Sequence, residues 1–296
     1  MSATFALIGF GEAGAAFSGG AVARAYDRKI DVAGTCAAKL EDFARTGVTA
    51  SPDAAAALRG ADAVLSLVTA DQALAAARAD APLLDAGAYW LDLNSVAPDT
   101  KRAAAAAIEA AGSHYVDVAV MAPVHPARLG VPLLVSGPHA EKGAALLAEF
   151  GFTDVRIVEG AVGAASSIKM IRSVMVKGLE ALTTECVAAA QAAGVLDEVL
   201  ASLNASWPGT DWAAKADYNL ERMIVHGRRR AEEMLESADT LRSLGISPLM
   251  TAGTIGWQQD IGTLALPTVP EGLAAKLGAI AAAPDRAAHD RKDQAA

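Results

Sequence analysis

Near the start of the chain, Thr4-Phe5-Ala6-Leu7-Ile8-Gly9-Phe10-Gly11-Glu12-Ala13-Gly14 sets three glycines at the spacing G-x-G-x-x-G directly after a short apolar run. A strand feeding such a turn and then an Ala-rich helix presents backbone N–H groups and a positive helix end where a pyrophosphate can sit. Gly9 allows the turn, Gly11 lets phosphates approach the backbone, and Gly14 lets helix and strand pack closely. With Phe10, Glu12 and Ala13 between them, these are the first candidate dinucleotide-binding residues. The alternative is an ordinary strand-to-helix turn.

The frame around the turn fits that reading. A chain of 296 residues suits two domains of ordinary size. Its formal charge of -9 disfavours nucleic acid and anionic membranes as partners, so a small-molecule ligand is expected. Cys36 and Cys186 stand far apart without metal-ligand spacing, which suggests neither a disulfide framework nor a zinc site and fits a cytoplasmic protein. No basic leader precedes the first strand and no uncharged apolar run is long enough to span a bilayer.

Strand-like and helix-like runs then alternate. The pattern predicts helix over Glu12–Tyr26, a strand at Asp31–Thr35, a weak strand near Val48, and strands at Ala63–Val68, Trp90–Asn94 and Tyr115–Ala119. Helices are expected at Asp53–Leu58, Asp71–Ala79 and Pro98–Ala111. Further strands fall at Val131–Ser136 and Val155–Val158 around a helix at Glu141–Phe150. Beyond Gly163 strand signals fade into helical runs at Ala164–Ala193, Leu196–Leu203, Ala213–Leu244 and Pro270–Ala282. The fold class is therefore α/β, a Rossmann-type doubly wound parallel sheet over residues 1–160, with an all-α domain over 161–283 and a short charged tail over 284–296.

Ligands in such sheets bind beyond the carboxyl ends of the strands. If the second strand ends at Thr35, its tip carries Thr35, Cys36 and Lys39 and no acid; the missing carboxylate favours NADP over NAD. Lys39 is equally well read as a solvated helix start. The ends of the next strands contribute Val68, Thr69, Asn94 and Ser95, of which Thr69 and Asn94 also suit helix starts.

Several of these segments, in this order and spacing, resemble the β-hydroxyacid dehydrogenase superfamily, which includes 3-hydroxyisobutyrate and 6-phosphogluconate dehydrogenases. Besides Gly9 to Gly14, Asp92-Leu93-Asn94-Ser95-Val96-Ala97-Pro98 is similar to its D-x-S-[ST]-x-x-P segment. Asp117 to Pro123 is similar to its D-A-P-V-S-G-G loop, and Gly163 to Ser173 to its G-x-x-x-x-x-K-x-x-x-N helix. The helical C-terminal half marks a divergent branch.

The resemblance implies an NAD(P)-dependent oxidoreductase, an oligomer (expected as a homodimer), and Lys169 as the general acid/base. Periodicity alone reads Lys169, Ser173 and Lys177 as the solvated stripe of an amphipathic helix. Two departures bear on the substrate. Met121-Ala122-Pro123 replaces the Ser-Gly-Gly that binds a substrate carboxylate, and Ser173 replaces the asparagine after the lysine. Proline donates no N–H and methionine offers an apolar wall, so a bulkier, more apolar alcohol or carbonyl substrate is expected, with Arg172 as a candidate replacement anchor. His125 and Arg128 are read as surface loop. Trp207, Trp212 and Trp257 are read as either pocket or core. Imine reduction on the same scaffold and a non-catalytic dinucleotide-binding protein are the alternative functions.

Overall fold

The computed structural model describes residues 2–264, 266 and 268–282, so the expected tail at 284–296 lies outside the described residues. The chain divides into two compact units, Met1–Ile171 and Arg172–Ala296.

The first unit is built on a sheet of order β2-β1-β3-β4-β5-β6-β7. The strands are β1 Phe5–Ile8, β2 Val22–Tyr26, β3 Ala63–Ser66, β4 Tyr89–Asp92, β5 His114–Val120, β6 Leu133–Ser136 and β7 Val155–Ile157. All neighbours pair in parallel except β5 and β6, which are antiparallel because β6 follows β5 through the short Pro-punctuated loop. Helices α1 Glu12–Ala16, α2 Ala33–Thr46, α3 Ala54–Leu58, α4 Ala73–Asp80, α5 Pro98–Ala110 and α6 Ala140–Phe150 cover its two faces. Two cores result. One centres on Phe5, Phe17, Phe43 and Phe150, the other on Trp90, Tyr115 and Ile108.

The start of the chain departs from its sequence reading. The helix expected over Glu12–Tyr26 stops at Ala16, and Val22–Tyr26 is the second strand. Alanines favour helix locally, but pairing with β1 and the close contact of Gly20 with Phe150 override them. A Cβ on Gly20 would stand 2.4 Å from the Phe150 ring, and Ala21 N–H donates to the Phe150 carbonyl at 2.9 Å. The strand expected at Asp31–Thr35 is instead a 3-10 turn, Arg28–Asp31, leading into α2. Near Val48 the chain makes one isolated bridge, Ala25 to Ala50.

Helix α7 Ala164–Ala192 runs from the first unit into the second, and the division falls inside it. The second unit continues with α8 Leu196–Ser206, α9 Trp212–Ser243, α10 Leu249–Gly262 and α11 Leu273–Ala281. Helix α10 is not expected from the sequence, because its internal Gly253 and Gly256 depress the helical signal. Helices α9 and α10 approach closely at Gly227 and Gly262, where a Cβ on either would lie 2.3 Å from the other's backbone. An apolar cluster of Val187, Leu220, Met223, Ile261 and Leu277 adjoins a buried polar seam. In that seam Arg230 pairs with Glu180, Gln258 donates to Glu180 at 2.8 Å, and Lys177 donates to Glu233 at 2.7 Å. Burial pulls the Lys177 ammonium below its ordinary value, with Glu233 opposing. Trp207 is exposed and edge-on to Trp212, while Trp257 donates to Glu185 at 2.8 Å.

Candidate functional site

The glycine turn is held from three sides at one residue. Gly9 has φ +91, and a Cβ there would stand 2.6 Å from the Leu67 carbonyl oxygen, so only glycine fits. Phe10 N–H donates to Asp27 Oδ2 at 2.8 Å, and Lys39 Nζ donates to the Phe10 carbonyl at 2.8 Å. The Phe10 ring stacks on Phe43 with centroids 4.2 Å apart. Gly11 differs from its neighbours, because among the described residues nothing lies within 4 Å of the Cβ it lacks. This is the open space a phosphate requires. Glu12 opens α1, Ala13 follows it, and Gly14 passes 3.0 Å from the Gly9 carbonyl, measured from its absent Cβ.

Thr35, Cys36 and Lys39 do not sit at a strand tip. They belong to α2, where Thr35 Oγ1 donates to the Lys29 carbonyl at 2.8 Å and the buried Lys39 also pairs with Asp42 at 2.7 Å. The tip of β2 is Asp27, whose carboxylate accepts Lys29 N–H at 2.9 Å as well as Phe10 N–H. The acid missing from the expected tip is thus present at the observed one, and the argument for NADP loses its premise. Asp27 was legible as the polar residue closing Val22-Ala23-Arg24-Ala25-Tyr26, once that run is taken as a strand.

Across the middle of the sheet, register aligns Ser66, Asp92, Asp117 and Ser136 on β3, β4, β5 and β6. All four are fully buried. Lys101 of α5, itself fully buried, bridges Asp92 at 3.1 Å and Asp117 at 3.5 Å and donates to the Asp92 carbonyl at 2.6 Å. Tyr115 OH donates to Asp92 Oδ2 at 2.6 Å; burial, then the Asp92 charge, push its phenol well above the ordinary value, so it stays protonated.

Asp117 Oδ2 in turn accepts Gly163 N–H at 3.0 Å, Ser166 N–H at 3.2 Å and Ser136 Oγ–H at 3.0 Å. Ser136 Oγ accepts Ala165 N–H at 3.0 Å. A carboxylate on the sheet thereby caps the first turn of α7, at the end where the helix dipole favours negative charge. One turn further, half-buried Lys169 donates from Nζ to Ser95 Oγ. Ser95 lies in the loop after β4, beside buried Asn94. Asn94 Nδ2 donates to Ser66 Oγ at 2.9 Å, and its Oδ1 has no hydrogen-bond partner among the described residues. The sequence alone does not single out Lys101, Tyr115, Ser66, Ser136 or Ser166; Ser66 and Ser136 carry a signal as lone polar residues closing apolar strands, while Lys101 and Ser166 lie on helices and carry none.

Other expected site residues scatter. Val68 and Thr69 follow β3, and Val68 packs against the Trp90 core. Met121 is half-buried against Ala165 and Leu134, whereas Ala122, Pro123, His125 and Arg128 are exposed. In the second unit Arg172 is exposed and Ser173 and Lys177 are buried, so the reading of Lys169, Ser173 and Lys177 as a solvated stripe does not hold; the exposed residues of α7 include Met175 and Leu182. No helix among the described residues is long and apolar enough to cross a membrane.

Comparison with known proteins places this geometry. Residues 4–151 match the NAD binding domain of 6-phosphogluconate dehydrogenase, and residues 190–261 match a domain of unknown function, DUF1932. A conserved hypothetical protein from Sinorhizobium meliloti is 38% identical, covering 95% of this chain and 96% of that one, with a TM-score of 0.73. An uncharacterized protein of Methanothermus fervidus is 29% identical over 249 residues, 82% of this chain and 93% of its own. Mycobacterium tuberculosis 3-hydroxyisobutyrate dehydrogenase with L-serine superposes over 95% of this chain and 99% of its own at a TM-score of 0.72, but at 18% identity that likeness is one of fold. A nicotinamide dinucleotide is therefore the cofactor of this fold, and the chain belongs to the β-hydroxyacid dehydrogenase superfamily, with an NAD-binding domain of the 6-phosphogluconate dehydrogenase family.

Proposed function

We propose that the protein is an NAD(P)-dependent oxidoreductase that interconverts a hydroxyl and a carbonyl on a hydroxy acid or a related, bulkier and more apolar substrate. The observation that carries this reading is the Lys169 hydrogen bond to Ser95, made from a helix whose first turn is fixed to the sheet. When bound, the dinucleotide accepts or supplies the hydride. Gly11, Glu12 and Ala13 would line its pyrophosphate, Asp27 its adenosine ribose, and Asn94 Oδ1 offers an acceptor to a hydroxyl or amide N–H.

In alcohol oxidation Lys169, as the neutral amine, takes the hydroxyl proton while the carbon gives up its hydride; in reduction its ammonium returns a proton to the carbonyl oxygen. Ser95 holds the amine in place. Retention of a lysine suits this proton transfer and argues for alcohol and carbonyl chemistry over imine reduction. Met121 supplies an apolar wall. Exposed Leu249, Met250 and Met175 in the second unit support a homodimer.

The test is fluorescence titration of the purified protein with NADH and NADPH, followed by a screen of hydroxy acids and bulkier alcohols and carbonyls. Binding of one dinucleotide and lysine-dependent turnover support the reading. Failure of folded protein to bind either sinks it.

A further inference from the structure

At the end of the sheet where β4 and β5 begin, opposite the strand end that carries the glycine turn, two imidazoles and a carboxylate converge. Glu109 lies in the last turn of α5, His114 is the first residue of β5, and His139 is the N-cap of α6. One donor atom from each of the three lies within 4.8 Å of the others. His139 Nε2 is 3.2 Å from Glu109 Oε1, and the two imidazole centroids are 4.4 Å apart.

We infer that Glu109, His114 and His139 form a binding site for one divalent transition cation such as Zn²⁺. Two imidazoles and one carboxylate are a donor set that Zn²⁺ takes readily, leaving a fourth position for water. Donors about 2.0–2.1 Å from a tetrahedral zinc stand roughly 3.4 Å apart, so the His139–Glu109 spacing already fits and side-chain rotation closes the rest. An ion pair accounts for His139 and Glu109 alone; it gives no reason for a second imidazole against the first.

The scaffold is also preorganised. Tyr115 N–H donates to Glu109 Oε1 at 2.9 Å, which orients the carboxylate while that oxygen keeps a second lone pair for a cation. His114 N–H donates to the Ala88 carbonyl at 2.8 Å, Gly143 N–H to the His139 carbonyl at 2.9 Å, and the Tyr89 ring lies against both imidazoles. A bound cation would tie the end of α5 to the starts of β5 and α6. It lies away from Lys169 and takes no part in the proposed hydride chemistry.

The experiment titrates metal-stripped full-length protein with Zn²⁺ alone and with Co²⁺ alone, reading stoichiometry by calorimetry and coordination by the Co²⁺ visible spectrum. The wild type is expected to take up one equivalent, with a rise in Tm. His114→Ala, His139→Ala and Glu109→Gln should each weaken binding by more than the roughly 10–100-fold that loss of a supporting group costs, while His125→Ala changes nothing. Glu109→Gln keeps an acceptor for Tyr115 N–H, so its Tm without metal separates loss of a ligand from loss of folding. Absence of uptake by the wild type at micromolar free metal, or undiminished uptake in the His114→Ala/His139→Ala protein, overturns the site.

Discussion

Asp117 accepts the backbone N–H of Ser166 at 3.2 Å while its other oxygen faces Lys101 at 3.5 Å, so one buried carboxylate joins the sheet, α5 and the helix that carries Lys169. Removing one member of such a cluster leaves uncompensated charge in the core. Lys101→Met should therefore destabilise the protein by about 3–5 kcal/mol, because Asp92 and Asp117 lose the cation between them. In the Lys101→Met/Asp117→Asn double variant the penalty should fall short of the sum of the two singles. Urea denaturation measures both. A Lys101→Met protein within about 1 kcal/mol of wild type would show that the cluster contributes no more than a surface pair.

Lys169 and Ser95 are expected to separate in kinetics. Lys169→Ala removes the proposed proton-transfer group and should lower kcat by about 10²–10⁴-fold while dinucleotide affinity stays near wild type. Ser95→Ala keeps the amine and removes only its bond to Ser95, so its loss should be smaller. Turnover surviving Lys169→Ala within a few-fold would remove the acid/base role.

Two glycines of one motif should respond oppositely to the same methyl group. Gly9→Ala meets the Leu67 carbonyl at 2.6 Å in a backbone conformation alanine avoids, and is expected to lower Tm. Gly11→Ala meets nothing within 4 Å and has an ordinary φ of -90, so its Tm should match wild type. Its Cβ stands where a phosphate would lie, so NADH and NADPH affinity should fall. Unchanged affinity in Gly11→Ala would place the pyrophosphate elsewhere.

Asp27 is expected to set cofactor choice. Each of its oxygens accepts one backbone N–H, and each keeps a lone pair for a ribose hydroxyl. A carboxylate there repels a 2′-phosphate, so NADH should bind more tightly than NADPH. Asp27→Ala should narrow that ratio, and a wild-type preference for NADPH would assign the choice to Arg28 and Lys29 instead.

How far the sequence carried the fold follows from where local and tertiary preferences agree. From β3 to β7 each strand is a short apolar run between turn residues, and each lies within a few residues of its expected place. Val22–Tyr26 failed because its alanines favour helix, and only its partner β1 makes it a strand. That one displacement carried the supposed strand tip from Asp27 to Thr35. The glycine turn stood out by its own spacing, whereas Ser95 and Lys169 stood out only because their segments resemble a known family; periodicity alone reads Lys169 as solvated. Lys101 did not stand out, since a lysine in an Ala-rich helix reads as solvated until the register of β4 and β5 sets two carboxylates beneath it.

Asp80 gives the fold a pH dependence of definite sign. It closes α4 and is 6% exposed, and burial raises its carboxyl from 3.8 to about 6. Between those values the folded protein holds a proton that the unfolded chain releases, so this contribution to stability is complete below about pH 4 and is lost as pH rises through 6. Above pH 6 the native state carries a buried charge, a penalty on the order of 2–3 kcal/mol. Asp80→Asn should therefore stabilise the protein at pH 7–8 by about 1–2 kcal/mol and make little difference near pH 4. Urea midpoints of both proteins across this range decide the matter, and a variant less stable than wild type at pH 8 would mean that the Asp80 carboxylate is stabilised in the fold.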